Sequence, residues 1–260
     1  MHESLSNLKI IAAGGGGAST TSRPAIEAAL DLTTPDTPNV LIVPTPKRTK
    51  EAFDKTIPKT EEFFKKLGLK TALLHQFGEP INTGVALDRI EAADLIYTAG
   101  GDTLHMMEQF HRHDLIRPLA QRALRGDTVL SGISAGAILP AKWGHSDSLS
   151  YRPETVDTWE YVRVNGLGVA PFAITPHFNN THERLGARSD QFGTMLKHEP
   201  ETAAFGIDNL AAIRLADGKI TQVQSDPDQF VHIAQRNKNG TISFEALSPE
   251  ESIDLGSLTK

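Results

Sequence analysis

The chain predicts an α/β fold: a doubly wound, mostly parallel sheet with an antiparallel β annex at its C-terminal end. Three observations carry this. Short apolar runs alternate about six times with helical stretches, the pattern of parallel strands joined by crossover helices. Glycines and small residues stand where several of those runs stop, at what would be the carboxyl ends of the strands, where such sheets place their sites. The last third switches to closely spaced strand-like runs, two of them followed by Asp217-Gly218 and Asn239-Gly240, which are hairpin turn signals.

The elements follow in order. Lys9 to Ala13 reads as a first strand and ends in Gly14 to Gly17. That glycine run lacks a full G-x-G-x-x-G or G-K-[ST], so it reads as a loop at a strand end rather than a phosphate cradle. Pro24 to Leu32 is a helix with proline near its start, where the missing N–H costs nothing. Val40 to Pro44 is a second buried strand. Lys50 to Leu67 is helical, with Pro58 expected to split or kink it. Thr71 to Leu74 is a strand, Val85 to Ala93 a helix and Leu95 to Thr98 a strand. Helices follow to about Phe110 and over Arg117 to Leu124, and Thr128 to Ser131 is a further strand. Trp143 to Trp159 is polar and rich in turn residues, which predicts a loop over the site. Gly168 to Ile174 is strand-like and Glu183 to Lys197 a helix. Strand-like runs at 203–207, 211–215, 220–224, 230–234 and 241–246 make the annex.

The chain has 260 residues, 39% of them hydrophobic, enough for one domain over 1–260 with its own core, and no linker or repeat divides it. A net charge of −6 argues against a nucleic-acid partner or an anionic membrane surface. No apolar run approaches the roughly 20 residues of a membrane span, and Met1 to Ser6 does not open a signal peptide, so a cytoplasmic protein is expected. With no cysteine there is no disulfide, thiolate metal site or cysteine nucleophile.

The chemistry centres on Gly132-Ile133-Ser134-Ala135-Gly136-Ala137. Ser134 falls where a strand stops and a helix begins, and Gly132 to Gly136 fit G-x-S-x-G, the nucleophile elbow. The same residues also suit a tight strand-to-helix turn with no chemistry. A helix N-terminus behind Ser134 would stabilise negative charge. A serine nucleophile needs a base. His111 and His113 flank an arginine at a helix end expected to be solvated, and His105 lies on the helix after Gly101. His177 ends an apolar strand at the sheet edge where Ser134 should lie, so base and structural residue are both open to it. His177 and His182 lack the carboxylate or cysteine that would complete a metal site, so no metal or cofactor is expected.

Tyr97-Thr98-Ala99-Gly100-Gly101-Asp102-Thr103, the Ser134 motif, Pro176-His177-Phe178, and Gly206-Ile207-Asp208-Asn209 followed by Ala212-Ile213 resemble the ordered landmarks of the peptidase E (aspartyl dipeptidase) and cyanophycinase family. The resemblance runs over roughly residues 8 to 235. It implies a class I glutamine amidotransferase-like (flavodoxin-like) fold, with serine in place of that fold's cysteine. It implies Ser134 as nucleophile, His177 as general base, and an oxyanion hole from backbone N–H groups near Gly101 and of Ala135. Gly100, Asp102 and Thr103 would bind substrate, a small peptide, with no metal or cofactor. A homodimer stays open. The alternative is an amidotransferase-like domain that binds a small amide or peptide with little or no turnover.

Two positions depart from the family pattern. Where the family usually has Glu, this chain has Asn209, preceded by Asp208. Neighbouring strand side chains point to opposite faces, so only one of them can orient His177, and both remain candidates. Asp147 is a third acidic candidate. Asp102 stands where peptidase E has Asn, which would put a carboxylate beside the nucleophile and disfavour acidic substrates, unless Arg184 or Arg188 neutralises it.

Overall fold

The computed structural model describes residues 5–16, 23–199 and 203–259; Gly17 and the first four residues, on which expectations were placed, lie outside them. The first half runs β1 (Ile10–Ala13), α1 (Arg23–Leu30), β2 (Asn39–Val43), α2 (Lys50–Lys66), β3 (Lys70–Leu73), α3 (Thr83–Ala92), β4 (Leu95–Thr98), α4 (Thr103–Arg112), α5 (Ile116–Arg125), β5 (Val129–Ile133) and α6 (Ala135–Ile138). The second runs β6 (Ala141–Ser146), β7 (Val162–Asn165), β8 (Ala170–Pro176), β9 (Thr181–His182), β10 (Gly186–Ala187), α7 (Arg188–Leu196), β11 (Ala203–Ile207), β12 (Ala211–Ala216), β13 (Lys219–Gln224), β14 (Val231–Arg236), β15 (Ile242–Ala246) and β16 (Ile253–Asp254).

An eight-stranded sheet has the order β16-β13-β12-β1-β5-β4-β2-β3. Its five strands from β1 to β3 are parallel, and β12, β13 and β16 continue it antiparallel. The parallel strands β1, β2, β4 and β5 are buried on both faces, while β3 forms the exposed edge, and the side chains of the buried strands alternate between two cores. Ile10, Ala12, Leu41, Val43, Ile96 and Leu130 pack with Ile90, Met106, Phe110 and Leu119 of α3 to α5. Ile11, Ala13, Ile42, Tyr97 and Val129 pack with Ile26 of α1 and Phe53, Ile57 and Phe64 of α2. Helix α2 runs unbroken through Pro58. Pro58 is exposed, so water can serve the carbonyl that its missing N–H leaves free, while Phe53, Ile57 and Phe64 anchor the opposite side.

The C-terminal third is not one annex. β12 and β13 join the main sheet, whereas β11, β14 and β15 join β6, β7 and β8 in a second sheet of order β15-β14-β11-β8-β6-β7. One face of this sheet shares the main core through Phe172, Ile174, Phe205 and Ile207, and α7 covers the other with Phe192 and Leu196 against Trp143 and Ala173. The loop expected from Trp143 therefore begins only after β6. That strand escaped the sequence pattern because its buried polar residues are paired inside: His145 Nδ1 with Thr175 Oγ1 at 3.0 Å, and Ser146 Oγ with Thr103 Oγ1 at 3.0 Å. The helix expected from Glu183 starts at Arg188, after the β9–β10 ribbon. Among the described residues no helix is long and apolar enough to cross a membrane.

Candidate active site

Ser134 follows β5 with φ 56° and ψ −110°, a backbone conformation that costs a non-glycine residue about 1–3 kcal/mol and persists only where packing enforces it. The enforcement is visible. The Ser134 N–H donates to Ala13 O at 3.0 Å, and the Ser134 carbonyl accepts from the Ala137 N–H at 3.0 Å. A Cβ on Gly132 would lie 2.5 Å from the Gly136 carbonyl carbon, and one on Gly136 would overlap Thr98 O. Helix α6 is a single turn, so the Ala135 N–H, which has no partner inside its helix, matters here rather than a long helix dipole.

His177 follows β8 and is also left-handed, with φ 53°. Its Nε2 lies 2.9 Å from Ser134 Oγ and its Nδ1 lies 2.6 Å from Asn209 Oδ1. The Asn209 amide nitrogen is occupied, donating to Asn179 Oδ1 at 3.0 Å and Asn180 Oδ1 at 2.8 Å. Its oxygen is thus the end that faces the imidazole. Nδ1–H then donates to Asn209, and Nε2 is free to accept the Ser134 hydroxyl proton. Burial holds the His177 pKa below the usual imidazole value; the Asn209 hydrogen bond offsets this in part, and the Arg188 charge lowers it further. Burial thus favours the neutral ring, the form a base requires.

The two acidic candidates stand elsewhere. Asp208 Oδ2 accepts the Phe230 N–H at 3.0 Å and pairs with His232 Nε2 at 3.0 Å, on the side away from His177. Asp147 pairs with the buried Arg188 at 3.4 Å. His182 stacks edge-on against Trp159, and His105 and His113 line a separate cavity.

Sequence reasoning passed over Gly14 and Gly15. The Gly14 carbonyl accepts the His177 N–H at 3.2 Å, and the Gly15 carbonyl accepts the Leu210 N–H at 3.1 Å, so this loop ties the histidine turn to the asparagine turn. A Cβ on Gly15 would overlap Asn209 Oδ1 and lie 2.5 Å from His177 Nδ1. Their position directly after a buried strand was the signal.

A cavity of about 260 Å³ opens on Ser134 and His177, lined also by Gly15, Lys47, Thr60 and Gly100. A Cβ on Gly100 would come within 3.2 Å of Ser134 Cβ, and one on Gly101, at φ 142°, would overlap Pro46 O. Asp102 and Thr103 do not line this cavity, contrary to expectation. Asp102 is fully buried: Oδ1 caps α4 by accepting the His105 N–H at 3.0 Å, and Oδ2 meets Arg48 at 3.3 Å. Arg48 is the pairing cation, not Arg184, which bonds Trp159 O, or Arg188. Thr103 is buried against Ser146. The charged group in the cavity wall is instead Lys47, whose pKa is lowered by burial and by the nearby Lys55.

Residues 10–223 match Peptidase family S51. Peptidase E from Salmonella arizonae is 26% identical over 175 residues, spanning 65% of this chain and 69% of that protein. Peptidase E from Salmonella gallinarum is 27% identical over 175 residues, spanning 65% and 68%. A crystal structure of a peptidase from an acI-B1 actinobacterium shares the fold with a TM-score of 0.68 at 19% identity, over 95% of this chain and 96% of that one.

Proposed function

The chain belongs to peptidase family S51 and is a serine peptidase, and from that premise we propose that it hydrolyses small peptides through a Ser134–His177–Asn209 relay. The observation that carries this reading is the pair of hydrogen bonds at His177, 2.9 Å to Ser134 Oγ and 2.6 Å to Asn209 Oδ1. We read the fold as class I glutamine amidotransferase-like, with the elbow serine at the carboxyl end of a parallel strand in support.

In the first step Ser134 Oγ attacks the amide carbonyl while its proton passes to His177 Nε2. The tetrahedral oxyanion is held by the N–H groups of Gly101 and Ala135, each donor of this kind being worth about 3 kcal/mol. His177 then protonates the amine as the C–N bond breaks, leaving an acyl-serine. Water adds to that ester, again losing its proton to His177, and the acid departs as Ser134 regains its own. Asn209 fixes the tautomer and the ring, as in Cys-His-Asn sites, but adds no charge to offset the imidazolium. The reaction as drawn uses protein groups and water alone.

Lys47 redirects the expected side-chain preference. With the Asp102 carboxylate turned into the protein and an ammonium in the cavity wall, a substrate carboxylate is attracted rather than repelled. The binding-only alternative lacks a supporting observation of its own, since the polar contacts at His177 have the pattern of a working base. Ser134→Ala tests the proposal: hydrolysis of a dipeptide panel should vanish while the melting temperature hardly moves. Activity within about tenfold of wild type would remove Ser134 from the chemistry.

A further inference from the structure

The sheet order β5-β4-β2-β3 places the loops after these strands in a row along one edge. Ser134 follows β5, Gly100 follows β4, Lys47 lies after β2 and His75 after β3. Neighbouring strands are about 4.8 Å apart, so the row runs about 14 Å from the serine to the loop after β3. Lys47 lies in the middle and lines two cavities, the one at Ser134 and a larger one of about 430 Å³ beyond it.

The second cavity is cationic. Lys47 and Arg112 carry the charge among its lining residues, beside the imidazoles of His105 and His113, with Glu79 as the lining carboxylate. Arg48 reaches its wall but is held by Asp102. Among the described residues neither Lys47 nor Arg112 forms an ion pair. His75 is engaged on both ring nitrogens, with the Gln76 carbonyl at 2.9 Å and Thr45 Oγ1 at 3.1 Å. The pKa of His105 is lowered by burial and, among smaller effects, by Arg48 and His75; Asp102 and Glu108 act the other way. Cations that outnumber the anions in one concavity raise the local concentration of an anionic ligand.

We propose that this cavity is an anion subsite of the peptidase groove, holding a carboxylate of the substrate about three residues from the scissile bond. The spacing follows from extended peptide, which spans at most about 3.3–3.6 Å per residue, against the 10–14 Å from the β5 end to the loops after β2 and β3. The substrate class is therefore an acidic tri- or tetrapeptide, and the inference rests on the peptidase reading above.

The test compares tetra-alanine with tetrapeptides carrying glutamate at either end. One glutamate peptide should exceed tetra-alanine in kcat/KM by about tenfold at low salt, and in the double variant Arg112→Gln/His113→Gln that ratio should fall to near one. Equal values for acidic and neutral tetrapeptides in wild type, or a ratio unchanged in the variant, would overturn the subsite. Calorimetry on Ser134→Ala gives a readout independent of turnover: the favoured glutamate peptide should bind more tightly than tetra-alanine, and the double variant should lose the difference. Should no peptide be cleaved, the peptidase mechanism fails, and this binding difference still decides the subsite. Inorganic phosphate that binds there while acidic peptides do not would overturn the assignment to substrate.

Discussion

Asp208 and Asn209, neighbours in the chain, turn to opposite sides after β11: Asn209 Oδ1 stands 2.6 Å from His177 Nδ1, and Asp208 Oδ2 stands 3.0 Å from His232 Nε2. The neutral side chain is thus the one that meets the imidazole, and the carboxylate bonds Phe230 and His232 at the second sheet. The consequences for pH, stability and rate differ between the two.

The first is a pH profile. Burial depresses the His177 pKa, and Asn209 supplies no charge to restore it. The rising limb of kcat/KM should lie below the ordinary imidazole range, since the base is active once deprotonated. Asn209→Asp places an anion against Nδ1–H, favours the imidazolium and should move that limb to higher pH. A limb that stays put in Asn209→Asp would mean the 2.6 Å contact is not made in the working enzyme.

Asp208→Ala should act on stability instead. It strips the Phe230 N–H and His232 of their acceptor, and loss of buried hydrogen-bond partners of this kind costs about 1–3 kcal/mol. Denaturant unfolding should show that loss, with kcat within about tenfold of wild type. A collapse of kcat at unchanged stability would assign Asp208 to the chemistry.

Gly15→Ala should do the reverse. The added methyl would overlap Asn209 Oδ1 and crowd His177 Nδ1, so the relay must shift to admit it. Turnover should fall by about a hundredfold while the variant stays folded by circular dichroism, because small misplacements of catalytic groups carry losses of that order. Wild-type turnover would show that the glycine loop only fills space.

How much of this was legible follows from the residues. The parallel half was readable because Val40 to Val43 and Leu95 to Tyr97 are buried on both faces and so are continuously apolar. Ser134 was readable because Gly132 and Gly136 have a steric necessity that leaves a mark in the sequence. The second sheet was not, because β6 buries His145 and Ser146, whose partners on β8 and α4 are distant in the chain. Nor was the split of the C-terminal strands: Asp217-Gly218 forms the β12–β13 hairpin, but nothing local says that the chain changes sheet between Ile207 and Ala211. Alternation required one of Asp208 and Asn209 to face His177 but not which. Asp102 was misplaced for a similar reason, since a residue after a glycine turn can line a pocket or cap the next helix, and Arg48, far away in sequence, supports the cap.

Selectivity tests the cavity wall. Lys47→Met should lower the ratio of kcat/KM for Asp-Leu over Ala-Leu by about tenfold, as expected for a half-buried cation several ångströms from a carboxylate. Asp102→Asn should leave the ratio nearly unchanged, because asparagine can still cap α4 and the lost charge faces Arg48. A large rise in the ratio in Asp102→Asn would place the carboxylate in the pocket after all.

The most direct measurement is the site and rate of fluorophosphonate labelling, mapped by mass spectrometry of the digested protein. The reagent reports a serine made nucleophilic by a neighbouring base, whatever the natural substrate. The expected result is one adduct, on Ser134, formed at least about a hundredfold more slowly in His177→Ala and absent in Ser134→Ala. No adduct on the folded wild type, or an adduct whose rate is indifferent to His177, would contradict the Ser134–His177 relay.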